Sequence, residues 1–144
     1  MAVVDGNGLP LGLHVDSAQP HAVTLAATTL NTIRVPQKRG RPKTRPKEVV
    51  ADKGYDSAEL RRRLRARGIK PTIPTFERRK RPHPKRARPI PTGQGYRQRW
   101  KVERCFAWMD NCRRWVVRYD RHLHIYQAFC LFAIILWCVN RILK

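Results

Sequence analysis

Asp52 closes the run Val49-Val50-Ala51-Asp52-Lys53-Gly54-Tyr55-Asp56-Ser57, and Glu103 lies in Tyr96-Arg97-Gln98-Arg99-Trp100-Lys101-Val102-Glu103-Arg104. The first carboxylate ends a short β-branched stretch, as residues at strand ends do. The second has Arg99 one helical turn before it, Arg104 beside it and Tyr96 seven residues upstream. Carboxylates in such cationic surroundings are suited to hold a divalent ion against a phosphate. Magnesium takes hard oxygen ligands and keeps positions open for substrate. Phosphodiester chemistry commonly uses two such ions roughly 3.5–4 Å apart. Taken singly, each residue also has a plain reading. Asp52 fits a turn, Glu103 fits a helical salt bridge with Arg99 or Arg104, and Tyr96 fits a core aromatic at a helix start. A third carboxylate of the same kind does not stand out. Asp5 in Asp5-Gly6-Asn7-Gly8 reads as a turn former, Asp56 reads as the start of a helix, and Asp16 has no motif around it.

These residues need elements to position them. Ala2 to Asp5 and Leu11 to Val15 read as two short strands, joined by the Asp-Gly-Asn-Gly turn. His21 to Ile33 reads as a helix, although its threonines weaken the pattern. Glu48 to Ala51 reads as a buried strand delivering Asp52. Ser57 caps a helix to Arg67, closed by Gly68, with Leu60 and Leu64 inward and arginines around the rest. Ile69 to Ile73 is a further strand, placed at an edge by Pro71. Gln94 to Tyr119 reads as one long helix and about His122 to Leu143 as a final one. Interleaved strands and helices give an α/β layer fold in one domain over 1–144. A basic linker covers about 36–47 and a basic, proline-rich mobile loop about 76–95, before C-terminal helices over about 94–143.

The charge points to a partner. The chain of 144 residues carries 31 Lys and Arg against 10 Asp and Glu, a net +21. An excess of this size speaks for a polyanion, with DNA first, because neutralised phosphates release counterions. Lys38-Arg39-Gly40-Arg41-Pro42-Lys43 looks like the core of an AT-hook, whose Arg39 and Arg41 would enter a minor groove. It reads equally as a linker touching phosphates only. Arg78 to Arg81 and Lys85 to Arg88 are further phosphate contacts or solvated charge. Cys105, Cys112, Cys130 and Cys138 have no zinc-ligand spacing and read as buried free thiols of a reducing compartment, each pair sharing a helix face. The twelve-residue apolar run Ala128 to Val139 falls short of the roughly 18–20 residues of a spanning helix. It reads as a buried core helix, with no membrane expected and a cytoplasmic, nucleoid-associated location.

Order and motifs together resemble bacterial insertion-sequence transposases of the DDE type. Val4 to Leu11 is similar to the early hairpin of that family. Ala51 to Ser57 is similar to the segment carrying its second catalytic Asp. Tyr96, Arg99 and Glu103 fit its Y-x2-R-x3-E signature, and Arg113-Arg114 with Arg118 to Arg121 resembles the stretch that follows. The family pattern often has Lys seven residues after the Glu, where this chain has Asp110. The resemblance implies an RNase H-like mixed sheet with flanking helices, Asp52 and Glu103 as catalytic metal ligands, and Mg2+ or Mn2+ as cofactor. It gives Tyr96, Arg99, Arg113 and Arg114 DNA-binding or site-supporting roles, to which the AT-hook-like motif adds Arg39 and Arg41.

The family's first catalytic Asp lies on the first, central strand, upstream of the hairpin. That strand is not matched here, and the third ligand stays unassigned. The resemblance therefore implies a transposase of an insertion sequence, cutting and transferring DNA strands, as a fragment or second reading frame. It would work with itself or with an upstream-frame polypeptide. The alternative is a non-enzymatic basic DNA-binding remnant, or an inhibitor of an intact transposase. A membrane-associated basic protein is a third reading.

Overall fold

The computed structural model describes every residue except Ala18, residues 76–92 and Lys144, with Gln94 described through its backbone alone. The expected loop over 76–95, with both of its basic clusters, thus lies almost wholly outside the described residues. At the N-terminus the turn chemistry works as expected. Asp5 Oδ1 accepts from the backbone N–H of Asn7 and of Leu9, each at 2.8 Å, and folds β1 (Ala2–Val4) back on β2 (Pro10–Leu13). The pair is antiparallel, with Ala2 opposite Leu13 and an irregularity between Val3 and Val4. Helix α1 (Ala22–Asn31) stops short of Ile33. The Thr32 hydroxyl donates to the Thr29 carbonyl at 2.7 Å, a local bond that competes with helix propagation.

The next segment forms a β-α-β unit. β3 (Glu48–Val50) runs parallel to β4 (Lys70–Thr72), with Val49 opposite Pro71. A parallel pair needs a crossover, and α2 (Ala58–Ala66) supplies it. Ser57 Oγ accepts from Leu60 N–H at 3.4 Å to start the helix. Gly68, at φ +70°, closes it, with Gly68 N–H on Arg65 O and Ile69 N–H on Leu64 O. Leu60 and Leu64 face inward with Ala26, Leu30, Ile33, Ile69 and Ile73.

The α/β class holds, but one mixed sheet does not form among the described residues. The strands make two separate two-stranded sheets, β1 with β2 and β3 with β4. Each pair is closed by its own turn or crossover, and no described strand bridges them. Between the sheets, the linker folds on itself: Val35 and Lys43 exchange backbone hydrogen bonds of 2.9 and 2.8 Å, and Gly40 turns the chain at φ +89°. Arg39 and Arg41 are exposed on this loop, which is not the extended form an AT-hook takes in a groove.

The single helix expected over 94–119 is broken into α3 (Gln94–Arg97), α4 (Trp100–Met109) and α5 (Arg113–Val116). Cys112 leaves helical geometry at φ −88°, ψ 100°, while Asn111 Nδ2 donates to the Trp108 carbonyl at 3.1 Å and satisfies the frayed end. Cys105 and Cys112 therefore do not share one helix face. Cys105 is buried and Cys112 half-buried, and all four cysteines are free.

Helix α6 (Leu123–Ile142) matches its expected bounds to one residue at each end. Its expected burial is corrected. Cys130, Ala133 and Trp137 face the protein, with Trp137 joining Cys105 and Met109 in a second small core. Leu131, Phe132, Ile135, Leu136, Val139 and Ile142 are exposed. α4, α5 and β2 pack against one face of α6, and its opposite face is left exposed among the described residues. All 20 residues are helical and an 18-residue stretch has a mean hydropathy of 1.7, so the helix is long and apolar enough to cross a membrane by length and composition. The twelve-residue apolar run understated it.

Candidate active site

The two singled-out carboxylates meet on one guanidinium. Arg99 Nη1 lies 3.8 Å from Asp52 Oδ2, and Arg99 Nη2 lies 3.5 Å from Glu103 Oε1. Each element contributes to that meeting. β3 carries the chain to Asp52, whose Oδ1 accepts from Gly54 N–H at 2.7 Å and caps a short 3₁₀ turn over Lys53–Tyr55. The plain reading of Asp52 as a turn residue is thus right for one oxygen, and Oδ2 remains for other work. A Cβ at Gly54 would sit 2.9 Å from Oδ1, so a larger residue there would shift the Asp52 carboxylate. On the other side, Gly95 of α3 approaches β3, a Cβ at that position meeting Val50 Cγ2 at 3.6 Å. This contact brings Arg99 over the strand end. The break between α3 and α4 preserves the face that one helix would have made: Arg99 stays 5.7 Å from the centre of the Tyr96 ring and one turn before Glu103.

The pair is open to solvent. Side-chain exposure is 44% for Asp52, 38% for Arg99 and 62% for Glu103. At 3.5–3.8 Å in water, such ion pairs are loose and contribute about 0–1 kcal/mol. Arg99 can therefore yield the carboxylates to a stronger cation at little cost. Tyr55, beside the strand end, has its phenol pushed up by burial and then by the Asp52 charge.

The other expected residues lie in different company. Arg114 pairs with Asp120 at 3.1 Å and stacks over Phe129 at 4.3 Å. Arg113 is exposed at the start of α5, and neither arginine contacts Asp52, Arg99 or Glu103. Asp56 grips Arg61, whose Nη2 lies 2.7 Å from Oδ1 and also donates to Ile73 O at 2.8 Å. Arg61 is 7% exposed. The sequence reading had put it on the solvent face of α2, since a long side chain folding inward to a carboxylate has no periodic signature. Asp5 is committed to its turn and Asp16 to His14 at 3.5 Å. Among the described residues no group of three or more His, Cys, Asp or Glu is arranged to hold a metal ion.

Asp52 and Glu103 are the residues that could hold a divalent ion: two hard, exposed carboxylates from separate elements, each loosely paired with one guanidinium.

The family profile described as "Transposase DDE domain" matches residues 1–138. The chain is 37% identical over 139 residues to a Burkholderia cepacia protein described as "Putative transposase for insertion sequence element IS402". The match covers 96% of this chain and 61% of the relative, so the chain spans less than two thirds of that protein's length. No solved structure matches it significantly. With nearly its whole length inside the family profile, the chain belongs to the DDE transposase domain family of bacterial insertion sequences.

Proposed function

We propose that the chain is part of the catalytic domain of a DNA transposase, using Asp52 and Glu103 as two of three ligands for Mg2+ or Mn2+. The carrying observation is the convergence of Asp52, Arg99 and Glu103 at one point from two distant segments. Bound divalent ions would neutralise the phosphodiester and lower the pKa of an attacking water. The chain's own residues do the rest. Asp52 keeps Oδ2 free because Gly54 N–H holds Oδ1. Arg99 holds the two carboxylates together without ion, then turns its fork to a phosphate oxygen, a geometry it is built for. Tyr96 keeps that guanidinium over the site. Catalysis of this type works by positioning and charge neutralisation, with no protein nucleophile.

In the RNase H-like reading the two small sheets belong to one sheet, whose central strand carries the third carboxylate. An upstream-frame polypeptide is the proposed source, and a second copy of the chain is a further proposed partner. A second reading, a basic DNA-binding protein without cleavage, is favoured by one observation: only two carboxylates are gathered among the described residues. Asp52→Ala separates the two. We expect it to weaken Mn2+ binding, read by electron paramagnetic resonance, and to abolish magnesium-dependent nicking while DNA binding persists. Unchanged Mn2+ binding and unchanged nicking would remove Asp52 from the site. Wild-type chain that binds DNA without binding Mn2+ or nicking would establish the second reading.

A further inference from the structure

A cleft of about 250 Å³ opens between α4, α6 and the β1–β2 turn. Lys101, Arg104 and Arg141 line it together with Trp100 and Trp137. These three cations have no carboxylate within ion-pair distance among the described residues, unlike Arg99, Arg61 and Arg114. Their contacts are to neutral groups. Lys101 Nζ donates to Gly6 O and, at 2.9 Å, to Gln98 Oε1. Arg141 Nη2 donates to Asn7 O at 3.3 Å. Arg104 stacks on Trp100 at 4.4 Å and Arg141 lies 5.7 Å from the Trp137 ring centre.

We propose that this cleft binds a backbone phosphate of a DNA strand. Three features carry the assignment. The charge is uncompensated, so the site gains most from an anion. It is concave and assembled from residues far apart in sequence, which a merely solvated basic face does not require. Stacking on indole holds the guanidiniums in place, so less freedom is lost when they grip an oxygen. Each guanidinium also keeps donors beyond those already used. Trp100, Lys101 and Arg104 share one face of α4 and line the cleft, while Arg99 and Glu103 share a neighbouring face turned to Asp52. The proposal rests on the transposase reading for its ligand, though not for its geometry.

The test measures affinity of the full chain for a fluorescent DNA duplex across a salt series. Each phosphate contact contributes about 0.9 to the slope of log affinity against log salt. Lys101→Gln and Arg104→Gln are expected to lower affinity and to reduce that slope, together by no more than about 0.9, the share of one phosphate, with Arg104→Lys recovering most of the loss at that position. Acylation of Lys101 in wild-type chain, read by mass spectrometry, is expected to be suppressed by the duplex, a result that needs no variant to fold. Wild-type binding with unchanged slopes in both Gln variants and an unprotected Lys101 would overturn the cleft while leaving the DNA reading intact. Absence of any salt-sensitive DNA binding by wild-type chain would overturn both.

Discussion

Arg99 occupies the position between Asp52 and Glu103 that a metal ion would contest. Its two contacts, 3.8 and 3.5 Å, are surface ion pairs. A pair of that kind contributes about 0.5–1 kcal/mol, so the guanidinium is a weak competitor for the carboxylates. Arg99→Gln removes the competing charge and leaves both oxygens exposed. The expected result is Mn2+ affinity raised roughly twofold to fivefold, the equivalent of that pair energy. DNA affinity is expected to fall at the same time, since the guanidinium is also the proposed phosphate ligand. Titration of Mn2+ by electron paramagnetic resonance and of DNA by anisotropy checks the two halves separately. A variant with lower Mn2+ affinity would mean that Arg99 organises the carboxylates more than it competes for them. The Arg99–Glu103 contact was legible in the sequence because residues four apart meet within one helical turn, whereas the meeting of Arg99 with Asp52 joins distant segments and has no local period. The cleft was not legible, because Arg141 meets the Asn7 carbonyl across nearly the whole chain, and no local period encodes such a meeting.

The elements show where local rules held and where tertiary contacts prevailed. Asp5 and Gly8 specify the hairpin turn, and Ser57 and Gly68 specify α2, because caps and turns act within a few residues. The break inside 94–119 was hidden because apolar residues continue at helical spacing through Trp108 and Trp115 while the backbone turns at Cys112. That break sorts the cysteines. Cys105, on α4, is 1% exposed and donates to Met109 Sδ at 3.8 Å. Burial pushes its thiol up to about 11. The neutral thiol is thus favoured in the folded chain relative to the unfolded one. Its contribution to stability is complete below the ordinary thiol range and is lost as pH rises from about 9 toward about 11. Cys112 sits outside the helix and half-buried. At mildly alkaline pH, iodoacetamide is expected to alkylate Cys112 well before Cys105, with Cys105 becoming reactive once pH exceeds about 9 and the packing of α4 loosens. Peptide mapping after timed alkylation checks this, and equal rates at the two positions would show that α4 is not packed as described.

At the scale of the whole molecule, burial is divided and incomplete. One cluster joins α1, α2 and β4 through Leu30, Leu64 and Ile73, and another joins α4 and α6 through Cys105, Met109 and Trp137. The strands of the two small sheets make no ladder with each other, so backbone hydrogen bonds do not couple hairpin to β-α-β unit. Small cores of this kind supply little surplus over the conformational entropy of ordering the chain. Meanwhile the outer face of α6 leaves Leu131, Ile135 and Val139 exposed at four-residue spacing, with Phe132 and Leu136 beside them, a contiguous apolar stripe of the kind that soluble monomers avoid. Free strand edges add a second route to association. The 144-residue chain alone is therefore expected to unfold without a sharp transition and to self-associate as its concentration rises. Differential scanning calorimetry at two concentrations, with sedimentation velocity on the same samples, checks both. Replacing Phe132 and Ile135 by Glu is expected to reduce association without making the melt sharper, because those side chains lie outside both cores. A single cooperative, concentration-independent transition from a monomer would mean that the two clusters fold as one unit and that the α6 stripe is tolerated in water.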